Sequence, residues 1–562
     1  MSETTLARSS PKTGTVLHRG RPFWIVDGRA YDFTEWMDKH PGGATWFQQS
    51  QGRDISALLH TYHREPARLQ KMLAKFRIDD FSEKDLLPQL GVPPFLLAPD
   101  FDARRDMPSL DYSDGGSLLA EIRRRVNDKF SRQDLRKYDR AFDAVTWAIG
   151  IAHVAALGLL ICKIIPVWAF VMAMLLTRTA LAGTGHYQIH RKWKKQRKGS
   201  FGLPMGKALF DINYVGTSLI GIDGHVLLHH PYLGSGADVK KTFFDSMLRL
   251  HPILRIPGYT LHKLGICLTG LSLRAREISK FEHPRDKTQS ETETSSLQDA
   301  SRTDFWLLRA LLLVELVLCI ATGHVLAWVA QFVVTLWFNT FLVVASHDFE
   351  EETTDEELAV IPEPLRDDWA ARQICLSHDL SVVGNRWIDL FLTAGLSPHR
   401  VHHVLPWQGS GFANLASEAS VRAACAEVGI AWERPRNLIL ERFPAVIKHY
   451  LFRPVKAARP QTAFPMPPSP PGVGPGQQAS AGSSPTPPPP SGRQPMKSPP
   501  NGAPPAPPSG PGQLPMKPPP DGALPTPPSP PGSLPQPATR SVKGQINELF
   551  RFTLDGCKGV GV

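Results

Sequence analysis

Cysteine is scarce, and its scarcity excludes a good deal. Six cysteines occur in 562 residues (Cys162, Cys267, Cys319, Cys375, Cys425 and Cys557), with no paired spacing. That argues against a disulfide framework and a cysteine-ligated metal, and suits a reducing compartment. An apolar leader is missing too: the first residues are polar, so no secretory signal peptide is expected. No nucleic-acid motif accompanies the basic excess, 63 Lys and Arg over 52 Asp and Glu. The net charge of +11 and pI near 9.3 are therefore read as charge beside a membrane, with no nucleic-acid partner. The length suggests several domains.

What is abundant is clustered histidine. His186 and His190 form one group, His225, His229 and His230 a second, and His399, His402 and His403 a third. Imidazole is a common ligand of iron, copper and zinc, and one metal takes three or four protein ligands. Eight imidazoles imply two metals side by side, and so oxidative chemistry. Helical spacing puts His186 with His190, His225 with His229, and His399 with His402 and His403 on shared faces. Neighbours such as His229 and His230 diverge by about 100°, so their rings can serve different metals.

Four apolar runs are long enough to cross a bilayer: Phe142 to Cys162, Ile164 to Ala182, Phe305 to Thr322 and Val325 to Ala345. Tight breaks at Lys163 and Gly323-His324 make two hairpins with both turns on one side. The basic stretch Arg191 to Lys198 and the run Arg123-Arg124-Arg125 place the opposite side in the cytosol. All three clusters then meet there. Span four ends in Ser346-His347-Asp348 at the depth of His186, which nominates His347 as a ninth ligand. Asn339 is expected to make a helix–helix hydrogen bond. His153 and His324 fall away from the site by topology, and His251, His262, His283, His378 and His449 lack cluster spacing. Leu248 to Ile278 reads as helices in the membrane interface or as a buried helix. The tail from Arg459 to Arg540 is proline-rich and repeats Pro495-Met496-Lys497 as Pro515-Met516-Lys517. Such a tail is expected to be a disordered spacer, with Src-homology-3 or WW domains as conceivable binders.

The segment from Val16 to Leu87 has core candidates Trp24, Tyr31, Phe33, Trp36, Trp46 and Phe47, and carries His40-Pro41-Gly42-Gly43 with His63 beyond it. It resembles the cytochrome b5 haem domain. The resemblance implies haem b clamped by His40 and His63, which leaves no open coordination position, so the haem carries electrons. His60 is a rival, but the family spacing from Asp54 favours His63.

The region from Phe142 to Tyr450 resembles the membrane fatty acid desaturase superfamily, with its three histidine boxes interleaved with two hairpins. The haem-domain fusion is similar to front-end desaturases and more so to cytochrome b5-related proteins, on Leu209 to Thr217, Asp223-Gly224-His225 and His229-His230-Pro231-Tyr232. Two positions depart from the front-end pattern, His399 in place of Gln and Tyr187 in place of Asp. Front-end bond position is therefore not carried over. The resemblance implies two non-haem irons held by the nine histidines, electrons from a cytochrome b5 reductase, an acyl-lipid or acyl-CoA substrate, and an endoplasmic reticulum membrane. Asp211, Asp223, Asp348 and Asp379 are candidates to orient the imidazoles. An acyl-chain or sphingolipid hydroxylase and a non-catalytic electron carrier or scaffold are the other readings.

The expected architecture is a small α+β haem domain over 16–87 and a linker over 88–138. An α-helical membrane domain follows over 139–452, with four transmembrane helices and a cytosolic helical cap. A disordered Pro-rich tail over 459–540 and a short segment over 541–562 complete the chain.

Overall fold

A computed structural model describes residues 17–79, 110–269, 296–347 and 358–455, less short internal stretches of which 41–46, 192–201, 216–224 and 239–244 are the longest. Trp46, Pro41 to Gly43, Asp223, His283, Asp348, the proline-rich tail and the terminal segment lie outside the described residues. The chain divides into two compact units, Met1–Pro471 and Gly472–Val562, and the second lies wholly outside them.

The N-terminal part pairs β1 (Leu17–His18) with β2 (Arg21–Pro22), and β3 (Trp24–Val26) with β4 (Arg29–Tyr31), both antiparallel. Asp27 and Gly28, at φ 49° and 71°, make the two-residue turn that the right-handed strand twist favours. Helices α1 (Thr34–Met37), α2 (Ser56–Tyr62) and α3 (Pro66–Leu73) follow. Trp24, Tyr31, Phe33 and Phe47 form the core with Leu59 and Leu69, and Trp36 packs against it. The Trp24 indole donates to the Phe47 carbonyl at 2.9 Å, which satisfies its one buried donor.

The stretch expected to be linker is not all linker. Ser117 caps α4 (Leu118–Lys129), whose Leu118, Leu119, Ile122 and Val126 are buried against Trp369 and Val401. Arg123 is buried as well, while Arg124 and Arg125 both bind Glu121, so part of that run's charge is neutralised locally.

A capping box of Ser131 and Asp134 starts α5 (Arg132–Ile161). It turns back through Lys163, at φ 58°, into α6 (Val167–Ile189). After α7 (Gly202–Asp211) and α8 (Pro252–Thr269), α9 (Ser296–Ala321) and α10 (Val325–Ala345) form the second hairpin about Gly323, at φ 77°. Among the described residues three helices are long and apolar enough to cross a membrane: α5, α6 and α10. The expected third span falls in α9, whose side chains are described from Leu307 onward. Trp147, Ile151, Trp168, Val317 and Leu326 point outward and are exposed. Such a belt of large apolar side chains is stable only where something apolar covers it. On α8, Ile253, Leu254 and Leu261 are likewise exposed while Tyr259, Ile266 and Cys267 are buried, which makes that helix two-faced.

Beyond α10 come α11 (Trp369–Cys375), α12 (Arg386–Leu392), α13 (His399–Val404), α14 (Gly411–Glu427) and α15 (Phe443–Phe452). Two glycines let these layers close on α6. A Cβ at Gly185 would lie 2.2 Å from the Phe210 nitrogen, and one at Gly183 2.5 Å from the Ala394 carbonyl carbon. Only glycine admits such backbone contact, and both positions fall within a turn of His186.

Candidate metal centre

The site grows from helix ends. His186 closes the last turn of α6 and His190 caps it. His347 follows the end of α10, where the buried Arg442 guanidinium donates to the Ala345 and His347 carbonyls at 2.6 and 2.5 Å. A cation at a helix C-terminus meets the helix dipole and satisfies its last carbonyls, which fixes the turn that presents His347.

These histidines converge as two buried groups. His186, His190, His225, His230 and His402 form one; His229, His347 and His403 form the other. Within each, one ring nitrogen per residue lies within 4.8 Å of every other. His399 stands against the second group, its Nε2 3.1 Å from His403 Nε2. The groups abut through His230 and His403, whose rings stack at 4.4 Å. The adjacent pairs thus diverge, His229 from His230 and His402 from His403.

Two expected groupings are corrected. His225 groups with His230 and not with His229. The His230 amide donates to the His225 carbonyl at 3.2 Å, five residues back, so this segment is a wide π-type turn. Extra width per turn aligns i with i+5 in place of i+4. On α13, His403 joins His399 while His402 turns to the other group, so the three do not share one face.

The spacing of nitrogens suits metal. His186 and His225 Nε2 lie 2.7 Å apart, and His225 and His230 Nε2 3.1 Å. Two nitrogens bonded to one ion at about 2.1 Å and at a right angle stand about 3 Å apart. Both ring nitrogens of His402 and Nε2 of His190 are buried with no protein hydrogen-bond partner. Leaving such groups unsatisfied costs about 1–3 kcal/mol each, which a bound cation would offset. Burial pushes His190 down to about 3, and His225, His230, His402 and His403 well below the ordinary histidine value. The rings are therefore neutral near pH 7, the form that ligates.

Their far nitrogens are held by residues that spacing did not reveal. His229 Nδ1 meets Asp238 at 3.0 Å, His403 Nδ1 meets the Gln373 carbonyl oxygen at 2.7 Å, and His347 Nδ1 meets the Leu376 carbonyl at 3.1 Å. Of the carboxylates expected in this role, Asp379 instead accepts from Arg386 and the Arg400 amide. Asp211 is the buried last residue of α7. Helix α11 is the scaffold: besides Gln373, it sends Trp369 and Arg372 to the Pro231 and Leu233 carbonyls of the second histidine segment. Tyr187 spans to the Gly395 carbonyl at 3.0 Å and packs on Phe142, so its place beside His186 is a packing role. Asn339 joins α10 to α6 through Thr179 at 2.9 Å. His378 is buried and lies in neither group. Asp238→Ala is expected to loosen metal retention by about 10–100-fold, while Asp238→Asn, which keeps an acceptor, falls less. Metal per chain against rising chelator measures it; matching curves for wild type and Asp238→Ala would sink the assignment.

In the N-terminal part the His40 and His63 rings face each other with centroids 6.0 Å apart. That leaves room for one ion bonded to both at about 2 Å. His63 Nδ1 donates to the Leu59 carbonyl at 2.7 Å, which fixes the tautomer that keeps the lone pair on Nε2. His60 is engaged elsewhere, with Asp27 at 2.9 Å.

Comparison with known proteins follows the same division. Residues 14–82 match the cytochrome b5-like heme/steroid binding domain. Residues 122–434, more than half of the chain, match the fatty acid desaturase family. The chain belongs to the fatty acid desaturase family. The desaturase match begins in α4 and runs past all three histidine clusters. A cytochrome b5-related protein of Drosophila melanogaster is 25% identical over 40% of this chain and 43% of its own length. The chain thus spans about two-fifths of the length of the cytochrome b5-related proteins it matches. An acyl-lipid omega-13 desaturase of Chlamydomonas reinhardtii is 22% identical over 78% of this chain and 94% of its own. An acyl-lipid (8-3)-desaturase of Physcomitrium patens is 22% identical over 68% and 78%. No solved structure matches the chain.

Proposed function

We propose that this desaturase-family chain is a haem-wired, dioxygen-dependent oxidoreductase that desaturates a fatty acyl chain of a lipid. The observation that carries the reading is the pair of abutting, buried histidine groups at the ends of apolar helices. Imidazole without thiolate suits iron, and the residues that would hold two ions are His186, His190, His225, His230 and His402 on one side and His229, His347, His399 and His403 on the other. Bound there, an iron pair supplies dioxygen reduction and hydrogen removal from an unactivated carbon. The chain's own contribution is placement. Asp238, Gln373 and the Leu376 carbonyl lock the ring tautomers, and burial keeps His190, His225, His230, His402 and His403 neutral. His40 and His63 would hold haem b, reduced by a cytochrome b5 reductase.

The membrane-spanning reading extends to α9 as a fourth span, with the histidines and the haem domain on the cytosolic face of the endoplasmic reticulum. The substrate class, an acyl-lipid or acyl-CoA, rests on family membership and on the names of the desaturase relatives.

The test is haem and iron content of the detergent-purified chain, followed by lipid analysis of cells that express it. One haem and about two further irons per chain, with a new double bond in an acyl chain that is lost in His402→Ala, is the expected result. A hydroxylated product would replace desaturation with hydroxylation at the same site. Haem without further iron, in protein purified under conditions that retain iron in a related desaturase, would overturn the reading.

A further inference from the structure

Tyr62 stands where the two sets of histidines meet. It ends α2 and directly precedes His63. Its hydroxyl lies 2.8 Å from His190 Nδ1, and the two rings are nearly parallel, at 9° with centroids 6.0 Å apart. The phenol packs on Ile189 and Val226, one next to His190 and the other next to His225. His190 Nε2 is the nitrogen turned into the buried metal group without a protein partner, so the ring proton sits on Nδ1. The Nδ1–H donates and the Tyr62 oxygen accepts.

Flanking residues fasten this contact. Arg64 donates to the Asn127 side chain and, at 2.6 Å, to the Phe130 carbonyl, and its guanidinium lies 5.5 Å over the Trp407 ring. Glu65 pairs with Arg132 at the start of α5. His60 stacks on Tyr112 at 5.9 Å and 10°. Residues 60–65 therefore lie pinned along the helical domain.

We propose that Tyr62 is the positioning residue that couples the haem site to the metal site. This rests on the reading above. The path from the haem ligand His63 crosses one peptide unit, one phenol ring and one hydrogen bond to reach His190. In each transfer one ferrous haem becomes ferric and one ferric ion of the pair becomes ferrous; two transfers reduce the pair. Tyr62 keeps its proton and is neither oxidised nor reduced. Its hydroxyl orients His190 and shortens the gap.

The test uses the full chain in detergent under argon, loaded with haem and ferric iron. A deazaflavin flash injects one electron into the haem, and decay of the ferrous-haem absorbance reports its onward passage. Wild type is expected to decay, and wild type stripped of non-haem iron to stay reduced. Tyr62→Phe, with haem content, iron content and haem midpoint potential as in wild type, is expected to decay about tenfold or more slowly. Arg64→Ala, which leaves Tyr62 and every histidine in place, is expected to slow the same phase. Wild-type decay in an iron-replete Tyr62→Phe protein overturns the inference. So does iron loss in Tyr62→Phe combined with wild-type decay in Arg64→Ala, since Tyr62 would then only retain metal. If iron-loaded wild type itself holds its electron on the haem, the haem-wired reading above has failed, which is a different outcome.

Discussion

His225→Ala is expected to abolish product, below about one per cent of wild type, and to lower the non-haem iron content while leaving the haem in place. Loss of a residue that merely supports a ligand costs about 10–100-fold, and removal of a ligand exceeds that. His225 is central to its group. Its Nε2 is 2.7 Å from His186 Nε2 and 3.1 Å from His230 Nε2, so it stands between ligands from two chain segments. Its carbonyl also accepts the hydrogen bond that sets the π-type turn. The side chain can be removed without touching that backbone bond, so folding should persist. Iron per chain, haem absorbance and acyl product measured on one preparation decide it. Full iron content in the variant would remove His225 from the ligand set.

Breaking the ion pair inside the helix bundle is expected to cost about 3–5 kcal/mol, a large share of the roughly 5–15 kcal/mol that holds an ordinary domain folded. Arg178 on α6 binds Glu315 on α9, and both are buried. Glu315 also meets His153 Nε2 of α5 at 3.0 Å, and His153 Nδ1 meets Thr177 at 2.9 Å. Arg178 reaches the Ile212 carbonyl at 2.9 Å and lies 4.7 Å over the Tyr214 ring. One carboxylate thus ties three helices together where water cannot reach. Glu315→Ala leaves a guanidinium uncompensated in an apolar bundle, which is the source of the large cost. The thermal midpoint in detergent reads the effect. The double replacement Arg178→Met with Glu315→Leu removes both charges and should recover most of the loss; a double variant no better than Glu315→Ala would show that the network acts through shape, not charge.

The sequence made some of this legible and hid the rest for physical reasons. His186, His190 and His347 were readable because helix ends and apolar run lengths fix their depth. The split of the second cluster was not, because an α-helical period was assumed where the backbone makes a wider turn. Asp238 and Gln373 act across loops or from another segment, and a lone Asp or Gln carries no periodic mark. Arg178 and Glu315 carried a signal that the reading of apolar runs passed over: a charge of either sign inside such a run marks burial and pairing within a bundle. Helix α4 was hidden by its charges, although Ser117 followed by Leu118, Leu119, Ile122 and Val126 has a cap and a helical stripe.

The clamp at Arg64, Glu65 and His60 bears on how a haem-wired oxidoreductase of this build would draw on its electron supply. Separate carrier proteins must collide with their acceptor, so their delivery is bimolecular, slows on dilution and weakens as salt screens attraction beyond about 8–10 Å. On the proposed haem-wired reading, donor and acceptor sites share one chain and one packed contact. Handover between them would then be unimolecular, indifferent to how many copies the membrane holds and to the ionic strength of the solution beside it.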